Sequence, residues 1–154
     1  MLKKKAPRMS ERLCSNSDVL RSGIHQPEAG AVSPIAIGPI RLANRVLLAP
    51  MSGVSDLPFR QAAHRLGAGL VVSEMIASEE LVRERRDVLR RTEFSGERPF
   101  AMQLAGREAP WMAEGARIAE GLGAAIIDIN MGCPAREVTG KLSGSALMRD
   151  LDHA

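Results

Sequence analysis

Four apolar runs end at nearly even intervals along this chain. They stop at Ala49, Ser73, Gln103 and Asn130, so successive ends lie 24, 30 and 27 residues apart. The runs at 46–49, 70–73, 100–104 and 125–129 are continuous rather than alternating, a pattern that suits strands covered on both faces in a parallel sheet. Helical signals fill the gaps between them. Asp56 stands ready to cap a helix with Pro58 in its first turn, running to about Leu66 and stopping at Gly67. Residues 78–90 read as a charged helix. Residues 109–122 read as another, with Pro110 early and Gly121 and Gly123 at its end. A short helix is expected over 143–148, and Gly38-Pro39 between two apolar triplets predicts a hairpin near residues 35–42.

Strand–helix units of this length imply a parallel sheet with helical crossovers. Two closures satisfy that pattern, an open doubly wound sheet and a (β/α)₈ barrel. The dinucleotide fingerprint GxGxxG does not follow the first strand, where Pro50-Met51-Ser52-Gly53 stands instead. Each strand end carries something polar or unusual: Pro50-Met51, Ser73-Glu74, Gln103, and Asn130 to Cys133. Barrel enzymes place their reactive groups at those ends. The expected fold is therefore α/β, the first four βα units of a TIM (β/α)₈ barrel. A whole barrel takes about 250 residues, and residues 35–154 supply 120. Asp150 and Asp152 look like helix starters with no helix behind them. The expectation is a truncated half-barrel with two bare sheet edges and an open core, which favours aggregation.

Composition narrows the class further. The formal charge is +3, and residues 1–34 account for it with six basic and three acidic side chains. This stretch reads as a disordered basic tail, so the overall charge is weak support for nucleic-acid binding. Aromatic residues make up only 3% of the chain and tyrosine is missing, which argues against a sheet that stacks bases. Cys14 and Cys133 form no CxxC pair, so no metal site and no redox motif is written here. With no disulfide framework, no secretory apolar segment and no apolar run of about 20 residues, a cytoplasmic location without a membrane is expected.

The stretch Asp128-Ile129-Asn130-Met131-Gly132-Cys133-Pro134 puts a thiol just past the fourth strand. A thiol in water is mostly protonated at neutral pH, so it can donate a proton, or act as a nucleophile where a base activates it. His25, His64 and His153 all lie away from this loop in the chain, which favours the donor. A small inert cysteine fits the position as well. Gln103 and Asn130 end their strands with carboxamides that suit the edge of a flat heterocycle, or that simply cap a strand. Pro50-Met51 offers a fixed backbone and a soft sulfur to a planar ring, or is only a turn. The segment Arg83, Arg85, Arg86, Arg90 and Arg91, interspersed with Glu84 and Asp87, reads as a solvated charged face ahead of an RNA contact.

Residues Asn44 to Arg60, NRVLLAPMSGVSDLPFR, followed by Gly67 to Met75, resemble the opening of the tRNA-dihydrouridine synthases. Asp128 to Pro134, then Val138, Lys141-Leu142 and Gly144 to Leu147, are similar to the bacterial B-type subfamily. The likeness spans residues 35–154 in order. It implies a flavoprotein that uses FMN and NADPH to reduce the C5–C6 double bond of uridines in tRNA. It implies that Cys133 protonates C5, that Pro50, Met51, Ser52 and Gln103 contact FMN, and that Asn130 lies near the target uracil. The uridine must leave its stack to reach these groups. The family's FMN lysine, phosphate loops and helical tRNA-binding domain have no counterpart within residues 35–154, and Lys141 is not that lysine. The expectation is that this chain alone binds FMN poorly and is inactive. Other readings are an FMN barrel acting on a small molecule, a non-catalytic truncated product, and RNA binding through the tail.

Overall fold

The computed structural model describes residues 34–94, 96 and 98–154. The basic tail expected at the front lies outside the described residues up to Ser33.

A two-stranded antiparallel hairpin comes first, β1 (Ile35–Ile37) and β2 (Ile40–Leu42). The parallel sheet follows, with β3 (Leu47–Leu48), β4 (Leu70–Val72), β5 (Ile76–Ala77), β6 (Phe100–Ala105) and β7 (Ile126–Ile129). β3 pairs with β4, β4 with β6 and β6 with β7, all parallel. β5 resumes where β4 leaves off and pairs with the end of β6, Ile76 against Leu104. The strands thus lie side by side in chain order with no reversal. An open doubly wound sheet would show a switch point in that order.

The alternation of side chains sorts the sheet into two faces. Val71, Phe100, Met102 and Leu104 share one core cluster with residues of the helices, among them Leu81, Val88 and Ala119. Leu70, Val72 and Ala101 turn the other way and gather with Leu42 of the hairpin and Ile126. The helices therefore cover one face, and the hairpin closes part of the other. Burying a side chain such as Phe100 or Leu104, each no more than 1% exposed, stabilises the fold by about 1.5–3 kcal/mol.

The first helix forms as expected. α1 (Leu57–Arg65) starts at Asp56, whose Oδ1 accepts the Phe59 amide at 3.0 Å, and Pro58 sits in its first turn. The expected single helix over 78–90 is instead broken. α2 (Ser78–Val82) is followed by α3 (Arg86–Leu89) and a 3₁₀ turn at Arg90–Thr92. Glu84 adopts φ 53°, and the amides of Glu84 and Arg85 donate back to Leu81 and Glu80. This is a Schellman closure made by a glutamate where glycine is the usual residue, so no glycine marks it in the sequence. α4 (Ala109–Gly121) forms as expected, whereas α5 (Arg136–Thr139) has no sequence signal. The short helix expected over 143–148 is a 3₁₀ helix, Gly144–Arg149.

The continuous apolar runs, which suit strands covered on both faces, differ in how far they are buried. β4 and β6 are wholly buried, but Leu47 of β3 is 45% exposed and Ile129 of β7 is 56% exposed. Among the described residues each of those two strands pairs with one neighbour. Among the described residues no helix is long and apolar enough to cross a membrane.

Candidate active site

The carboxyl ends of the strands carry the site, on the face that the helices leave open. Gln103 alternates with Met102 and Leu104, so it points away from the helical cluster, and it is nearly buried. Its register partner across the ladder is Asp128. The Gln103 Nε2 donates to Asp128 Oδ2 at 2.6 Å. Asn130 stands two residues beyond Asp128, on the same face, and its Nδ2 donates to Gln103 Oε1 at 2.9 Å. The Asn130 Oδ1 in turn accepts the Gly132 amide at 3.3 Å and the Cys133 amide at 3.0 Å.

Other loops lock around this chain of bonds. The Ser73 Oγ accepts the Gln103 amide at 3.0 Å and donates to the Glu74 carbonyl at 2.7 Å. Glu74 accepts the Gly53 amide at 2.9 Å, which ties the loop after β3 to the loop after β4. Buried Ser55 closes the β3 loop, accepting the Met51 amide and donating to the Met51 carbonyl. Pro50, Ser52, Gln103, Asn130 and Cys133 then line one cleft of about 480 Å³, with Asp128 and Met75 beside them. That volume falls within the range of about 300–1,000 Å³ typical of ligand sites.

Five of the six residues named from sequence thus meet at one cleft. Met51 does not line it, and its side chain is 37% exposed. Asp128 and Met75 were missed. A sequence signal existed for Asp128, since it is the only charged residue inside an otherwise apolar strand.

The thiol loop is held from behind. The Ser145 amide donates to the Cys133 carbonyl at 3.0 Å. Gly144 has φ +60°, and a Cβ there would lie 2.7 Å from the Cys133 carbonyl oxygen and 2.8 Å from Val138 Cγ1. Gly144→Ala is therefore expected to destabilise the chain by about 1–3 kcal/mol. Amide chemical-shift changes should concentrate at residues 132–134 and 143–146, and denaturant melts measure the loss. A variant with wild-type stability and unchanged shifts would refute this.

A second cavity of about 270 Å³ lies between α2, the start of α4 and the loop after Cys133. Its cations already have partners. Arg107 bonds Asp150 at 2.7 Å, and Lys141 sits 3.6 Å from Glu80. The Arg107 hydrogen bond holds the Asp150 carboxyl below its ordinary range. The arginine segment is also partly satisfied locally, with Arg83 on Glu79 at 2.7 Å and over the Trp111 ring at 5.5 Å. Arg85 lies 3.7 Å from Asp87, as befits a solvated face.

The site can offer a flat ligand three things. Among the described residues Gln103 uses one amide hydrogen and one lone pair, which leaves one of each for a ligand. Pro50 and Met75 supply apolar walls. A half-buried thiol stands at the rim.

The residues 47–154 match a family model described as dihydrouridine synthase. A probable tRNA-dihydrouridine synthase of Rhizobium leguminosarum bv. phaseoli is 65% identical over 111 residues, 72% of this chain and 35% of that protein. A probable tRNA-dihydrouridine synthase of Rhodobacter capsulatus is 56% identical over 122 residues, 78% of this chain and 38% of the relative. The tRNA-dihydrouridine synthase B of Pseudomonas aeruginosa is 51% identical over 120 residues, 77% of this chain and 36% of the relative. The chain spans between 35% and 38% of the length of these curated relatives.

Proposed function

The chain belongs to the dihydrouridine synthase family, and on that premise we propose that it carries the proton-donating part of a site that reduces the C5–C6 double bond of uridine in tRNA. The observation that carries this is the convergence of Cys133, Gln103 and Asn130 on one cleft at the ends of parallel strands. We further propose that residues 35–154 form the first four units of a (β/α)₈ barrel, as the chain-ordered parallel strands and the one-sided helices support.

FMN fits the groups present. The cleft has an apolar wall at Pro50 and Met75, and Gln103 presents a free donor and a free acceptor to the polar edge of a flat ring. Pro50, Ser52 and Gln103 would hold it. Bound there and reduced at the expense of NADPH, the flavin would supply a hydride to uracil C6. Cys133 then gives its proton to C5 and is left as a thiolate. The product gains one hydride and one proton, and the thiolate regains its proton from water at the rim, where Cys133 is half-exposed. Asn130, bonded to the Cys133 amide, fixes the approach of the thiol.

The test joins this chain to the segment that follows the matched region in its Rhizobium relative. With NADPH and tRNA lacking dihydrouridine, the chimera should consume NADPH in step with dihydrouridine formation. NADPH consumption with small enones but none with tRNA would reject the proposal in favour of a small-molecule reductase.

A further inference from the structure

We propose that Asp128 is a positioning residue whose carboxylate sets the direction of two carboxamides, Gln103 and Asn130, and through them the backbone of the Cys133 loop. An ionised carboxylate only accepts hydrogen bonds. The group that faces it must therefore be the Gln103 amide nitrogen, and that bond is 2.6 Å long. The Gln103 oxygen is thereby turned to the Asn130 nitrogen, at 2.9 Å. The Asn130 oxygen then has one direction left, toward the amides of Gly132 and Cys133, at 3.3 and 3.0 Å. Each link forces the sense of the next. Reversing Gln103 would set two acceptors together at Asp128 and two donors together at Asn130.

The placement supports a purpose beyond folding. Asp128 interrupts an apolar strand, between Ile127 and Ile129, where a carboxylate is costly unless hydrogen-bonded. It faces the cleft and is in register with Gln103. Among the described residues no ion pair reaches this carboxylate, and the bond it accepts comes from the amide chain. The value of this order to the chemistry rests on the function proposed above, but the orientation itself does not.

The experiment uses the full 154-residue chain, labelled with ¹⁵N. Asp128→Leu should raise hydrogen exchange at the Gly132 and Cys133 amides by about tenfold, the scale of losing one buried hydrogen-bond anchor. Alkylation of Cys133 by iodoacetamide, read on its own peptide by mass spectrometry, should speed up with it, because a loosened loop exposes the half-buried thiol. The Met102 and Leu104 amides in β6 serve as the folding control. Unchanged exchange at residues 132 and 133 with β6 protected would overturn the proposal. Should the leucine variant lose β6 protection, Asp128→Asn decides, because it keeps the size and one acceptor. There the Gln103 side-chain amide protons should move upfield as a charge-assisted bond becomes a neutral one, and unmoved protons would overturn the proposal. None of these readouts needs turnover, so an inactive chimera would strike the proposed reaction and leave the amide chain standing.

Discussion

Cys133→Ala in the chimera should lower dihydrouridine formation by about 10²–10⁴-fold, the usual contribution of a positioned general acid. The loss should fall on kcat with KM for tRNA little changed, because the proton moves only in the transition state. The structure gives two reasons to expect so clean a result. Among the described residues the Cys133 side chain makes no hydrogen bond, and the loop is held by its backbone: the amide goes to Asn130 and the carbonyl to Ser145. Removing the sulfur therefore leaves the loop anchored. Cys133→Ser should fall between the two, since a hydroxyl is a far weaker acid in the same place. Liquid chromatography of digested tRNA measures the product directly. Formation at the wild-type rate in the alanine variant would remove Cys133 from the mechanism.

Arg60→Ala should cost about 3 kcal/mol of folding stability, from the loss of charge-assisted hydrogen bonds and the cavity it leaves. Arg60 is 1% exposed, although it lies on α1 and carries a charge. Its Nη1 donates to the Ser55 carbonyl at 2.8 Å, and its Nη2 donates to the Glu93 carbonyl. The guanidinium also sits 5.3 Å from the centre of the Phe100 ring, which stacks on Phe94 at 5.2 Å. One side chain thus clamps the β3 loop, the segment leading into β6 and the core. For a chain of this size, 3 kcal/mol corresponds to a fall in Tm of about 6–12 °C. Arg60→Met fills much of the space but restores neither carbonyl's partner, so it should recover less than half of the loss. Thermal melts of both variants check this, and a methionine variant as stable as wild type would show that packing, not hydrogen bonding, is what Arg60 contributes.

The two predictions draw on different layers of information. Cys133 stood out in the sequence because a thiol just beyond an apolar run is out of place as a core residue. Arg60 did not, since an arginine in a predicted helix reads as solvent-facing. Only packing against Phe100 and the two carbonyls makes it interior. The same contrast holds for Gln103 and Asp128. Each is a polar residue on its own strand, 25 residues apart, and no local rule says that they face one another.

The sequence by itself determined where four of the five parallel strands run, how α1 begins at Asp56 and which loops carry polar groups. Those features depend on side-chain periodicity and on hydrogen bonds that close within a few residues. The tertiary structure alone decided the Gln103–Asp128 pairing and the interior Arg60. These depend on strand register and on which elements have neighbours, and such contacts join residues far apart in the chain that no local pattern can relate.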